Sequence, residues 1–151
     1  MKYLLKWINF IPWIIILVVG YGAIANFTRS IVPNSHFMEI KTMIVNDTRT
    51  GVSPILVVER FIKQEFVAEW TVTVREVSDA GLSVVCVGRG RSHYSPKTLL
   101  PNPISLDWWI GHNTCNLTPG RYRLDTSWEI IGETNRVIRS NSNIFQVYDH
   151  I

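Results

Sequence analysis

The stretch "NLTPGRYRLDTSWEII", residues 116–131, alternates almost without a break. Tyr122, Leu124, Thr126, Trp128 and Ile130 fall on one side, and Arg121, Arg123, Asp125, Ser127 and Glu129 on the other. Successive side chains of a β-strand leave opposite faces of the pleat, so a period of two with one apolar and one polar face predicts a half-buried strand. Leu117, Pro119 and Gly120 come directly before it. Proline presets one turn conformation and glycine permits another, so the chain is expected to enter this strand from a tight corner.

The neighbours repeat the theme. "EFVAEWTVTVREV", residues 65–77, puts Phe66, Ala68, Trp70, Val72 and Val74 on one face. "SDAG", residues 78–81, reads as a turn, and "LSVVCVGRGRSHY", residues 82–94, as the next strand. Upstream, "HFMEIKTMIVND" (36–47) and "SPILVVERFIKQ" (53–64) are two more strands, with a turn at Asp47–Gly51 between them. A long polar and proline-rich loop follows Tyr94, with a short strand at "ISLDWWI", residues 104–110. "GETN", residues 132–135, turns the chain into a last strand, "RVIRSNSNIFQVYD". About seven short strands at regular spacing predict an all-β sandwich over residues 36–151.

Within this pattern "LTPGRY" resembles the tyrosine corner of fibronectin type III and other immunoglobulin-like domains. In that family a tyrosine at the start of a strand bonds back to backbone a few residues upstream. The resemblance carries over to Leu117, Pro119, Gly120 and Tyr122, and implies an immunoglobulin-like sandwich with Trp128 on its inward face. The motif spans about six residues and speaks to fold more than to function. Cys86 and Cys115 do not stand in the antibody arrangement of two facing strands around a tryptophan.

The front of the chain differs in kind. "WINFIPWIIILVVGYGAIANF", residues 7–27, holds no charge. At ~1.5 Å per residue it is long enough to cross a hydrocarbon core of about 30 Å. Trp7, Trp13 and Tyr21 are aromatics of the interfacial kind. Residues 1–27 therefore read as one transmembrane signal anchor and 28–35 as a linker. The competing reading is a cleavable signal peptide cut after Ala23-Ile24-Ala25, and the missing polar stretch before that site favours the anchor. Lys2 and Lys6 precede the apolar run, which puts the N-terminus in the cytoplasm and the β domain on the exported side. Setting those two lysines aside leaves 13 basic against 12 acidic residues. So even a balance argues against a nucleic-acid surface.

Candidate chemistry concentrates between the two cysteines. In an oxidising compartment a Cys86–Cys115 disulfide is expected, the alternative being a small buried cysteine and a loop thiol. The enclosed segment carries Arg89, Arg91 and His93 at strand spacing and the adjacent Trp108 and Trp109. These five are the candidate binding residues, since arginine and tryptophan are enriched at binding hot spots. The plain alternative for the arginines is a solvated edge strand guarded by charge. Adjacent tryptophans on a strand would face opposite ways, one buried and one exposed. His36, His93, His112 and His150 supply no recognisable metal-ligand set, and no cofactor motif occurs. Asp107 and Asp125 read as isolated acids, and no catalytic constellation is recognisable.

Two functions stay open. One is a membrane-tethered interaction module, an accessory or assembly component of a membrane complex of bacterial or phage type, with the bilayer and a protein as partners. The other is a tethered glycan- or ligand-binding module using exposed tryptophan and arginine. An aromatic row in a groove would favour the second, and a flat apolar patch near the linker the first.

Overall fold

The computed structural model describes residues 14–22, 33–101, 103–112, 114–132 and 136–149. Residues 1–33 and 34–151 form separate units. In the first, residues 14–22 are helical and mostly exposed. Among the described residues no helix is long and apolar enough to cross a membrane. The anchor expected over 7–27 lies partly outside them, as do the alternative cleavage site at 23–25, most of the linker and most of the "GETN" turn.

The second unit is all-β apart from two short helical turns. Its strands are β1 (Met38–Val45), β2 (Thr48–Arg49), β3 (Ile55–Ile62), β4 (Phe66–Ser78), β5 (Gly81–Tyr94), β6 (Ile104–Ser105), β7 (Gly120–Ile130) and β8 (Val137–Tyr148). They make a three-stranded sheet in the order β1-β3-β6 and a five-stranded sheet in the order β2-β8-β7-β4-β5. All pairings are antiparallel except β2 with β8.

β7 carries the pattern that decides the fold. Tyr122, Leu124, Thr126, Trp128 and Ile130 are all buried, and the residues between them are not. β4 runs beside it, with Trp70 opposite Trp128 and Val74 opposite Leu124. Leu56 and Val58 of β3, Met43 and Val45 of β1, and Phe145 and Val147 of β8 are buried with them, so both sheets supply one core. Asn143 of β8 stitches the sheets together: its amide group accepts from Val45 N at 2.8 Å and donates to Val45 O at 3.0 Å.

The corner before β7 closes as expected of its residues. The Tyr122 hydroxyl donates to the Thr118 carbonyl at 2.8 Å, and Leu117 is buried beneath it. On the solvent side of β7 the sequence reading of Asp125 as an isolated acid is corrected. Arg75 of β4 and Arg123 each donate through Nε to one of its carboxylate oxygens at 2.8 Å. Arg75 was hidden from sequence because it is 50 residues away and reaches Asp125 only through the β4–β7 register, whereas Arg123 is two residues off on the same strand face.

Candidate functional site

A cleft of about 360 Å³ opens where the end of β5, the middle of β4 and the loop after β6 converge. Its walls are unusually aromatic: Trp70 of β4, Tyr94 of β5, Trp128 of β7, and Trp108 and Trp109 of the loop. Thr126, Val72 and Ser92 complete the interior, and His93, Thr98 and His112 bring the lining out to solvent. Arg60 of β3 contributes a charge.

The loop folds differently from the sequence expectation. Only Ile104 and Ser105 are strand, and Leu106–Trp109 form one helical turn. Ser105 caps it, its hydroxyl accepting from Trp108 N at 3.3 Å. Gly111 and His112, with φ of 82° and 62°, end it in the left-handed region, where glycine is at ease and histidine is uncommon. The tryptophan pair thus divides for a helical reason and not for the strand reason. Trp109 is buried, while Trp108 keeps 40% of its surface exposed.

Gly88 of β5 makes room for this loop, and Gly90 makes room for Trp70 of the neighbouring strand. A Cβ on Gly88 would overlap the Ile110 backbone, and one on Gly90 would overlap the Trp70 indole. The "GRGR" spacing therefore serves close approach on the inward face. The Cys86–Cys115 disulfide closes the same loop onto β5, with Cα atoms 6.1 Å apart.

Three of the four indoles are locked. Trp70 Nε1 donates to Ser92 Oγ at 3.1 Å, Trp109 Nε1 to Thr126 Oγ1 at 3.2 Å, and Trp128 Nε1 to the Tyr94 hydroxyl at 3.1 Å. Trp109 meets Trp128 edge to face at 6.3 Å, and Trp108 lies 6.4 Å from Trp109. Buried tryptophans normally satisfy their N–H in this way, which leaves their ring faces as the surface on offer. Burial pushes the Tyr94 hydroxyl above its ordinary pKa, against the lowering effect of the Trp128 bond, so it stays protonated at neutral pH.

Of the candidate binding residues, His93, Trp108 and Trp109 line the cleft. Arg89 and Arg91 do not. They are exposed on the outer face of the five-stranded sheet, opposite Thr71 and Glu69 of β4. Alternation separates them from Gly88, Gly90 and Ser92, which face inward.

Sequence reasoning missed Arg60, Trp70 and Tyr94. The alternation of β4 puts Trp70 on the same face as Val72, and both line the cleft. Arg60 did leave a signal: in β3 it follows Leu56 and Val58 on the inward face, where a third apolar residue belongs.

No protein-family model and no curated protein matches this chain.

Proposed function

We propose that this chain is a single-pass, membrane-anchored module of immunoglobulin type that binds a glycan in its aromatic cleft. The cleft carries the reading. Ligand sites span roughly 300–1,000 Å³ and are lined by apolar and aromatic groups with a few polar ones, so this cleft suits one or two rings. The apolar faces of sugar rings stack on indoles, and Trp108 stands exposed at the rim with Trp109 behind it. Its Nε1 has no hydrogen-bond partner among the described residues and is free to donate to a hydroxyl.

The immunoglobulin reading draws on strand order. The strand that starts with the corner tyrosine lies between the last strand and β4, and β1 pairs with β3 in the opposite sheet. That arrangement resembles the two-sheet division of the family and supports the reading. The anchor reading draws on the uncharged run of 7–27 and on the helix over 14–22. The chain should sediment with membranes and keep Met1, and a soluble chain starting at Asn26 would contradict the anchor.

The test of the cleft uses the full chain in detergent, titrated with neutral and acidic disaccharides while tryptophan fluorescence is followed. A saturable change is expected, and Trp108→Ala should weaken it on the order of tenfold, the loss of one ring stack. If no sugar is bound, the protein-partner function takes its place. What favours that second reading is the outer face of the three-stranded sheet, where Ile44, Ile55, Val57 and Phe61 are exposed.

A further inference from the structure

We propose that the cleft is specific for sugars bearing a carboxylate, and that Arg60 is the group that receives it. The inference rests on the glycan reading above and adds a chemical class to it.

The argument starts from β3. Leu56 and Val58 are buried on its inward face, and Arg60 continues that face into the cleft. A guanidinium there has given up part of its hydration, and burial pulls its pKa below the ordinary arginine value. It remains a cation, since arginine does not deprotonate in proteins. Buried charges are normally paired with an opposite charge. Arg60 has none: among the described residues no carboxylate pairs with it, and its Nε is covered by protein yet has no hydrogen-bond partner. Its guanidinium carbon lies 5.3 Å from the Tyr94 ring. That cation–π contact helps hold the fork in position without consuming any of its five donors.

The unused donors define the ligand. A cation would meet like charge in the cleft, so the aromatic walls are not a cage for an ammonium group. A neutral sugar would stack but leave the guanidinium without a counter-charge. A carboxylate matches the planar fork, and a charge-assisted bond of that kind is among the stronger ones a protein makes. The cleft walls remain available for the ring that bears the carboxylate. Arg89 and Arg91 cannot substitute, because they lie on the far face of the sheet.

The experiment compares three probes on the full chain in detergent: digalacturonic acid, its dimethyl ester, and a neutral galactose disaccharide. The acid should bind roughly ten- to hundredfold more tightly than the ester, the range a hydrogen bond to a charged group supplies. Arg60→Gln should abolish that preference while leaving weak binding of all three, and Arg60→Lys should restore part of it. Thermal melts show whether the Arg60 variants fold. If they do not, the acid-to-ester ratio on the unaltered protein decides. Equal binding of acid and ester would overturn the carboxylate inference and leave the glycan reading standing. A preference for acid that survives Arg60→Gln would overturn the assignment to Arg60. Binding of none of the three would overturn both the inference and the reading beneath it.

Discussion

Trp128→Ala should destabilise the β domain by roughly 3 to 5 kcal/mol, the range for emptying a buried aromatic site. Three features put it at the upper end. Trp128 is 1% exposed and is the largest of the fully buried side chains among the described residues. It lies opposite Trp70 in the β4–β7 pair, so its loss leaves a gap at the centre of the five-stranded sheet. It also donates to the Tyr94 hydroxyl, which would lose its tryptophan donor, and it supports the edge of Trp109. Tyr122→Phe at the other end of the same strand provides the comparison. It keeps the ring, removes the bond to Thr118 and should cost about 1 to 3 kcal/mol. Denaturant melts read both. A loss below about 1 kcal/mol for Trp128→Ala would mean that the core closes without it, and the cleft wall it forms would then be unsupported.

The strand that contains both residues was also the part most legible from sequence, for a physical reason. A strand with one buried and one wet face writes its geometry directly into a period of two, and β7 has no bulge against β4 to break that period. β4 was legible for the same reason. The loop after β6 was not. "ISLDWWIG" contains a cap at Ser105, an acid at Asp107 in the first turn and a glycine stop at Gly111, all helix signals. Four helical residues are too few to show a period, so the apolar and aromatic content dominated and suggested a strand. The cleft suffered from a related limit. Its lining comes from β3, β4, β5, β7 and the loop, and only the register of two sheets brings those pieces together. Arg60 was nevertheless visible as an inward-facing charge, and weighting it as an anomaly would have found the site's cation. The arginines at 89 and 91 drew attention by clustering in sequence, yet alternation alone separates their face from that of Gly88 and Gly90.

Replacing both Cys86 and Cys115 with serine should lower stability by roughly 3 to 4 kcal/mol, the chain-entropy value for a loop of this length. The cysteines are 29 residues apart and join the outer strand of the five-stranded sheet to the segment that leads into the turn closed by Tyr122 and Thr118. The two ends of the loop are held unequally. Upstream, Leu106 N donates to Pro54 O at 2.8 Å, Asp107 N to Ser53 Oγ at 3.2 Å, and Ile110 N to Leu106 O at 2.9 Å. Gly111 N and His112 N still belong to the turn, donating to Trp108 O at 3.1 Å and Asp107 O at 2.7 Å, but beyond them Cys115 N reaches Asp107 Oδ1 only at 3.5 Å, so there the disulfide is the main constraint. The variant should therefore show two separable effects. Global unfolding should shift, because the unfolded chain gains freedom. Amide exchange in the native state should rise more at residues 114–115 than at 106–112, because the released end is the more weakly bonded one. Affinity in the cleft should change less, since Trp108, Trp109, Gly111 and His112 all line it from the better-held side. Denaturant melts, native-state hydrogen exchange and the sugar titration on the double variant check all three. Unchanged exchange at 114–115 would show that the turn's own bonds and the Gly88 approach to Ile110 suffice to hold the loop, and the disulfide would then act on the unfolded state alone.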